Sequence, residues 1–369
     1  MKSGKRLTAL ILSFFMAGMF VGNSNAASVS ELMHAAFEPI GKCLYVYGGG
    51  WNEPNTGAGE EALQIGLGEK WEQFYNSKNS AYDYNTTRYQ IHDGLDCTGY
   101  VGWCMYQLFE NKYSDQGYVF LANEMAKKYS DIFGGEFVSK TNVKKRRCGD
   151  IMSSGGHAYI VVGECADGSV VFLHASPPAL TLCGTATPDG IKNSEAVGLA
   201  QFYMNIYFNE CYTKYPYYSK GTDYLTNYNQ MIWSDTVLSD SDGYREMYAK
   251  DILRDIFSTI KVYLHGERLA KGYNIYNINS TIFVPANVIC EKLGVTVNQT
   301  GDKIKLQKND SVVELKNESD VASINGKNTK LNYKVFMIEN NIYVPIRTIS
   351  EAFGLTVTWK GNVNAVFLN

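Results

Sequence analysis

The last third of the chain contains an internal duplication with a period of 60 residues. The segment Ile-Phe-Val-Pro at 282–285 returns as Ile-Tyr-Val-Pro at 342–345, and further matches continue on both sides. Each copy has the pattern of a strand, a turn, a strand, a short helix after the proline and a final pair of strands. In the second copy we expect the helix over 345–353, ended by Gly354. The duplication therefore predicts a β-rich α+β module at 261–369, built from two similar halves.

This module lacks visible catalytic groups, because it contains a single histidine, His265, and no cluster of carboxylates. It resembles the tandem module named after the N-terminal domain of copper amine oxidases, which is common in secreted proteins of Gram-positive bacteria. The resemblance rests on the Ile-Asn-Gly turn at 324–326 and on the segment 344–354, which begins Val-Pro-Ile-Arg. The first copy departs from the pattern, with Asn287 where the second has Arg347. A copper site needs several imidazoles, so we expect a binding or spacing module without copper.

An acidic residue and a cysteine stand at the start of an amphipathic run in the first half of the chain. Behind Asp96 and Cys97, apolar residues recur at helical spacing: Val101, Cys104, Met105, Leu108 and Phe109. The free N–H groups and the dipole of a helix N-terminus favour an anion, so we expect the Cys97 thiol to have a lowered pKa. Such a cysteine, followed by histidines further along the chain, is typical of a thiol hydrolase.

Two histidines flank a predicted β-hairpin. Residues 158–163 and 169–173 are rich in β-branched and apolar side chains, and Ala-Asp-Gly at 166–168 supplies the turn. His157 precedes the first strand and His174 follows the second, so both lie at the open end of the hairpin. We expect His157 to be the base for the thiol and His174 to orient it. Pairing about the turn leaves them a few positions out of register, so counting alone does not establish their contact.

The start of the chain has the pattern of a secretory signal peptide. Lys2, Lys5 and Arg6 precede an apolar run at 7–21, and Ser-Asn-Ala at 24–26 is a suitable cleavage site. We therefore expect a secreted protein, extracellular or associated with the cell wall, with no membrane span after cleavage. The alternative is an uncleaved anchor helix, for which the apolar run is short.

Charge and cysteine spacing argue against some functions. The net charge is −3 at pH 7 and the only dense basic run is at 144–147, so we expect no nucleic-acid binding. Eight cysteines are irregularly spaced with no C-x-x-C pair, so we expect no metal site, and we expect no cofactor. Residues 261–369 carry a small net positive charge that suits an anionic wall polymer, although a solvated surface is the simpler explanation.

Four landmarks stand in order along the chain: Tyr-Val-Tyr-Gly-Gly at 45–49, Asp-Cys-Thr-Gly-Tyr-Val at 96–101, Cys-Gly-Asp-Ile at 148–151, and His157 with His174-Ala175. Together they resemble the NlpC-type peptidoglycan endopeptidases, a papain-like superfamily of bacterial wall hydrolases. Thr98 replaces the commoner serine of the nucleophile motif. Long segments between the first two landmarks and after the last one depart from the family pattern, which leaves the substrate subsites undefined.

The resemblance implies an α+β, papain-like catalytic domain in which the helix bearing the cysteine packs on an antiparallel sheet. Cys97 would be the nucleophile, His157 the base and His174 the third member of the triad. Three further residues are expected to support the substrate or the oxyanion: Tyr45, Asp96 and Trp103. Burial in the core is an equally good explanation of the tryptophan.

The function implied is that of a secreted cysteine peptidase that hydrolyses an amide bond in peptidoglycan stem peptides, most often between D-γ-glutamyl and the diamino acid. The first alternative is an N-acetylmuramoyl amidase or a protein-directed cysteine peptidase of the same fold. The second is a non-enzymatic wall-binding or adhesion protein. The expected organisation is a signal peptide at 1–26, the peptidase domain at 27–215, a tyrosine-rich extension with a linker and a helix at 216–260, and the repeat module at 261–369.

Overall fold

The computed structural model describes residues 26–216, 219–258, 260–270, 273–278, 280–338 and 341–369. They form a mixed α+β structure of helices and curled sheets. Apart from Ala26, the predicted signal peptide lies outside the described residues. Within those residues, no helix combines the length and the apolar character needed to cross a bilayer.

The strands before residue 240 are β1 (Ala27–Ser28), β2 (Leu44–Tyr45), β3 (Gly94–Leu95), β4 (Glu136–Val138), β5 (Ile151–Ser153), β6 (Ala158–Glu164), β7 (Val170–Ser176), β8 (Ala179–Thr185), β9 (Ser219–Lys220), β10 (Asn229–Ile232) and β11 (Leu238–Ser239). The α-helices up to residue 258 are α1 (Val29–Phe37), α2 (Trp71–Ser77), α3 (Cys97–Phe109), α4 (Met125–Phe133), α5 (Glu195–Tyr207), α6 (Asn209–Lys214), α7 (Asp223–Thr226) and α8 (Ala249–Ser258). Short 3₁₀ helices lie at Glu60–Leu63, Tyr84–Thr87 and Tyr244–Glu246.

Most of these strands form one large sheet in the order β3-β2-β8-β7-β6-β5-β10-β4, with β9 beside β8. The neighbours from β2 to β4 in this order are antiparallel. The pairs β2–β3 and β8–β9 are parallel, and so is the separate pair β1–β11. The predicted hairpin at 158–173 is confirmed as β6 and β7, although His174 lies inside β7 rather than after it.

The two faces of β6 and β7 pack against different partners. Because side chains alternate along a strand, Ala158, Ile160 and Leu173 share one face and join the main core, which contains residues of α1, α3, α5 and α8. Helix α3 packs directly against both strands from this side. Tyr159 and Phe172 point to the other face and form a smaller cluster with the segment around α7. The helix that begins at Cys97 therefore rests on antiparallel strands.

Residues 219–258 add strands β9 and β10 to the large sheet, whereas the sequence predicted an extension with a linker at this point. Strand β10 lies between β5 and β4, and the buried Met231 is opposite both Ile151 and Phe137. The serine-, aspartate- and glycine-rich stretch after β11 is a turn rather than a linker. Its Asp240 carboxylate accepts the backbone N–H groups of Tyr244 (2.9 Å) and Arg245 (2.8 Å).

The strands of the C-terminal module are β12 (Lys261–Leu264), β13 (Glu267–Leu269), β14 (Tyr276–Ile278), β15 (Thr281–Pro285), β16 (Thr296–Thr300), β17 (Lys303–Lys308), β18 (Ser311–Lys316), β19 (Val321–Ile324), β20 (Lys327–Lys330), β21 (Phe336–Ile338), β22 (Asn341–Pro345), β23 (Val357–Lys360) and β24 (Ala365–Leu368). Its helices are α9 (Ala286–Leu293) and α10 (Ile346–Ala352), with a 3₁₀ helix at Gly361–Val363. The strands form three sheets, ordered β13-β12-β24-β23, β14-β15-β22-β21 and β16-β17-β18-β19-β20.

The duplication is confirmed by the pairing of the two copies. Strands β15 and β22 are antiparallel, and Val284 lies opposite Val344, its equivalent 60 residues later. Helices α9 and α10 occupy equivalent positions after the two prolines, and α9 ends at Gly294 in the left-handed conformation. Strand β12 of the first copy also pairs with β24 at the end of the second, so the copies interlock.

The module has a hydrophobic core of its own, and one side of it also joins the main core of the chain. Tyr263 and Phe367 of the module lie against His34 of α1, with ring centroids 5.5 and 4.9 Å away. The Tyr263 hydroxyl donates to the hydroxyl oxygen of Ser30 (2.9 Å). Arg268 donates to a carboxylate oxygen of the almost fully buried Asp242 (3.1 Å). The module is therefore packed on the rest of the chain and is not separated from it by a spacer.

Candidate active site

Helix α3 begins at Cys97 because Asp96 caps it. The extended Asp96 backbone lets one carboxylate oxygen accept the N–H groups of Thr98 (3.0 Å) and Gly99 (2.8 Å). These bonds satisfy two of the free donors of the first helical turn. The thiol thus lies at the helix N-terminus, as the sequence predicted.

A close contact between two glycines brings the first landmark to this helix end. A Cβ on Gly99 would be 2.0 Å from the carbonyl oxygen of Gly49, so only glycine fits without movement. The same carbonyl accepts the N–H of Asp96 (3.0 Å). The contact places Tyr45, which precedes the glycines, close enough to Cys97 and Asp96 for their charges to act on its hydroxyl.

The Cys97 sulfur faces the start of β6. The N–H of Ala158 donates toward it, so the sulfur lies beside the peptide that follows His157. Tyr228 is a further neighbour, because the Cys97 charge contributes to the raised pKa of its hydroxyl, after burial and Tyr224. Cys97, the candidate nucleophile, therefore lies against the backbone of β6 at the residue that follows His157.

His157 and His174 are in direct contact. The Nε2 of His157 and the Nδ1 of His174 share a hydrogen bond of 2.8 Å, and the rings are nearly perpendicular. Ile160 is opposite Leu173, so His174 is opposite Tyr159, diagonal to His157 on the same face. The hydrogen bond leaves Nδ1 of His157 as the nitrogen available to another partner.

A β-bulge between Val161 and Gly163 creates this arrangement. Near the turn the register pairs Gly163 with Val171, but beyond the bulge it is shifted by one residue. Without the shift, His174 would be opposite Ile160 and would point to the other face from His157, because a one-residue slip exchanges the faces. The bulge is the reason that counting about the turn did not predict the contact.

Burial decides the protonation of these groups. It raises the pKa of Cys97 to about 12, and the neighbouring Asp96 charge adds to the increase. Burial, with a smaller contribution from the Lys220 charge, lowers the pKa of His157 to about 3. The pKa of His174 is also well below its ordinary value, mainly through burial. The expected lowering of the thiol pKa is therefore wrong for this structure, which holds a neutral thiol and a neutral imidazole at pH 7.

Asp96 and Trp103, two of the predicted supporting residues, have structural roles. Asp96 is the helix cap described above, and burial raises the pKa of its carboxyl to about 6. Trp103 is fully buried, donates its indole N–H to the carbonyl oxygen of Gly66 (3.0 Å) and packs edge-on against Trp71. It does not line a groove near the thiol, because the helix turns it into the core.

The sequence reasoning missed the residues that cover the histidine pair from the second face of the sheet. The Tyr224 ring lies 5.4 Å from His157 and 6.0 Å from His174, measured between ring centroids. Lys220 of β9 is close enough to affect the pKa values of both imidazoles. The tyrosine-rich composition of 212–228 was the only sequence feature that drew attention to this segment, and it did not indicate where the segment lies in the fold.

One group of side chains has donors suited to a metal. A ligand atom from each of Cys165, Asp167 and Glu195 lies within 4.8 Å of the others. The two carboxylates already accept backbone N–H groups, Asp167 from Glu195 (2.7 Å) and Glu195 from Ala166 (3.0 Å). These bonds explain the group as a contact between a turn and the start of α5.

Residues 265–368 match the family of the copper amine oxidase N-terminal domain. This match supports the predicted C-terminal module. It does not extend to the Cys97 region, so the resemblance of that region to NlpC-type peptidases stays a prediction. No curated protein matches the chain.

Proposed function

We propose that this protein is a secreted NlpC-type, papain-like cysteine peptidase that hydrolyses an amide bond in peptidoglycan stem peptides. The observation that carries the proposal is the 2.8 Å hydrogen bond between His157 and His174, next to the peptide that donates to the Cys97 sulfur. A nucleophile, a base and a group that orients the base are the three parts that thiol catalysis requires.

The reaction begins from the neutral pair. When the substrate carbonyl lies against the sulfur, the Cys97 proton passes to Nδ1 of His157 and the thiolate attacks the carbonyl carbon. The His157 Nε2–H donates to His174, which holds the ring and stabilises the imidazolium that forms. The backbone N–H of Cys97, at the free helix end, is the donor for the oxyanion.

The second half of the reaction restores the thiol. The imidazolium of His157 gives its Nδ1 proton to the leaving amine, and the C–N bond breaks to leave a thioester on Cys97. His157 then takes a proton from water, whose oxygen attacks the thioester. Release of the carboxylic acid returns the proton to the sulfur.

Peptidoglycan is proposed as the substrate because the four landmarks keep their order, and the bond between D-γ-glutamyl and the diamino acid is the one implied. Tyr45 beside the thiol is a hydrogen-bond donor suited to a peptide substrate. The protein is also proposed to be secreted, because the apolar run at 7–21 is typical of a signal peptide.

The test is digestion of purified sacculi by the secreted chain and by its Cys97→Ala variant, with the released muropeptides identified by mass spectrometry. We expect fragments that end in L-Ala-D-Glu from the first and none from the second. Cys104→Ala, which changes a core cysteine of the same helix, is the matched control and should retain activity.

Other products would separate the alternatives. Glycan chains freed from intact stem peptides would indicate an amidase. Undiminished digestion by Cys97→Ala would refute the thiol mechanism, and intact sacculi after treatment with the unmodified chain would refute the wall hydrolase.

A further inference from the structure

The C-terminal module contains a pocket of about 420 Å³ between its two copies, which we call the repeat pocket. Sites for small molecules typically have volumes of roughly 300–1,000 Å³. Asn277 and Thr281 belong to the wall from the first copy, and Asn332 to the wall from the second. The Asn332 side-chain amide donates a hydrogen bond to the Thr281 hydroxyl (3.3 Å), which ties the two walls together.

The side chains of the repeat pocket suit a sugar that carries an acidic group. Arg347 on α10 and Lys330 at the end of β20 supply positive charge, and no carboxylate is among the described residues that line the pocket. Trp359 is 39% exposed and offers a flat ring on which the apolar face of a sugar can stack. Asn277 and Thr348 provide hydrogen-bonding groups for hydroxyls.

The two cations remain available to a ligand. Arg347 donates to Glu351 one turn along the helix (3.1 Å), and Lys330 pairs with Asp320. Both pairs are solvent-exposed, and such pairs contribute little free energy. The guanidinium has five N–H donors in a planar fork, so it can hold Glu351 and also bind a carboxylate bidentately.

The duplication provides an internal comparison for these side chains. Strands β15 and β22 pair symmetrically about Val284 and Val344, so residues 60 positions apart can be compared between the copies. The first copy lacks both cations and the indole: Asn287 stands for Arg347, Gln299 for Trp359, and Ala270 for Lys330. The same fold therefore forms without a cation or an indole at these positions, and folding does not require them in the second copy.

We propose that the repeat pocket binds an acidic sugar unit, with the sugar ring on Trp359 and its carboxylate on Arg347. In peptidoglycan the carboxylate of muramic acid is free only where the stem peptide has been removed, so the pocket would attach the enzyme to stem-free stretches of its polymer, away from Cys97. The choice of a muramic acid sugar as the biological ligand rests on the proposed function, whereas binding of acidic sugars does not.

The experiment is calorimetric titration of the chain 27–369 carrying Cys97→Ala, which prevents turnover. The probes are the disaccharide of N-acetylglucosamine and N-acetylmuramic acid, the neutral disaccharide of N-acetylglucosamine, and trigalacturonate. We expect both acidic sugars to bind and the neutral one to bind about tenfold more weakly, as the loss of a charge-assisted hydrogen bond predicts.

Two variants replace pocket residues with those of the first copy. Trp359→Gln and Arg347→Asn should each weaken binding of the acidic sugars by about tenfold or more. The matched controls are Gln299→Ala and Asn287→Ala, at the exposed equivalent positions of the first copy, and they should bind normally. Circular dichroism checks that each variant is folded.

The outcomes separate this proposal from the proposed function. Binding of trigalacturonate without the muramic disaccharide supports the acidic-sugar site and rejects the wall as its source. Absence of binding by both acidic sugars, equal binding of the neutral and acidic disaccharides, or unchanged binding in both pocket variants overturns the site. A failed sacculus digestion does not affect this titration, because the titrated chain is inactive by design.

Discussion

At the residue scale, burial outweighs the helix N-terminus at Cys97. The dipole and the N–H groups favour a thiolate, but the side chain is only 9% exposed and the Asp96 carboxylate is adjacent. With the pKa of the thiol at about 12 and that of His157 at about 3, the ion pair is not the resting state. Under the proposed function, the substrate would therefore bind before the proton moves.

This protonation state predicts the pH dependence of thiol alkylation. Below the pKa of Cys97, the thiolate fraction rises with pH, so inactivation by iodoacetamide should accelerate about tenfold per pH unit between about pH 6 and pH 9. The measurement is the alkylation rate at Cys97 followed by peptide mass spectrometry. A rate that stays constant across this range would indicate a preformed thiolate–imidazolium pair and contradict the prediction.

A second residue-scale prediction concerns His174. Replacing it by alanine removes the partner of the His157 Nε2 and lets the ring rotate, so kcat should fall by roughly 100-fold to 10,000-fold with little change in KM. His174→Asn keeps an oxygen acceptor for the Nε2–H and should retain more activity than His174→Ala. Equal kcat in the two variants would show that His174 does not act by orienting the base.

At the element scale, the site depends on how closely α3 approaches the glycine loop. Gly99→Ala places a methyl group 2.0 Å from a backbone oxygen, so the helix end must move. We expect a loss of about 3 kcal/mol in the free energy of unfolding, the upper end for overpacking, and a loss of activity. Urea denaturation and the sacculus assay measure the two effects.

The matched control for this glycine is Gly198 of α5. It is also helical, but it is exposed and a Cβ there would meet nothing within 4 Å. Gly198→Ala should stabilise the protein by about 0.5–1 kcal/mol through helix propensity. Similar effects of the two substitutions would mean that the close contact at Gly99 does not position the helix end.

At the scale of the whole molecule, the module is joined to the rest of the chain through buried charges. Arg268 lies between Asp242 and Asp255, and Asp242 is almost fully buried. Deletion of the module would expose the surface of α1 that Tyr263 now covers. It would also remove the cation that pairs with the two carboxylates. Single substitutions in the repeat pocket are consequently a cleaner test of wall attachment than truncation.

The coupling predicts that Arg268→Ala destabilises the whole chain. Removing one partner of a buried ion pair typically costs about 3–5 kcal/mol, because the other charge stays buried. We expect a lower thermal midpoint for the N-terminal half of the chain as well as for the module, measured by calorimetry and by proteolysis. Lys292→Ala removes an exposed pair with Glu267 and should leave the midpoint unchanged. A lower midpoint for the module alone would show that the two halves unfold independently, and an unchanged midpoint would contradict the prediction.

Local sequence patterns were enough to predict several features of this protein. The period of 60 predicted the two copies and their helices, and turn residues with flanking apolar runs predicted the hairpin of β6 and β7. Asp96 before an amphipathic run placed Cys97 at the start of α3. The hairpin turn and the helix cap depend on residues that are close together in the chain, and the duplication is found by comparing the sequence with itself, so all three are visible in the chain.

Other features follow from how the folded chain packs. A one-residue bulge turned His157 and His174 to the same face, and strand β10 entered the sheet from a segment that looked like a linker. Packing turned Trp103 into the core, and burial made the thiol a weaker acid than its helix position indicated. Register, desolvation and long-range pairing depend on residues far apart in the chain, and no local period or propensity encodes them.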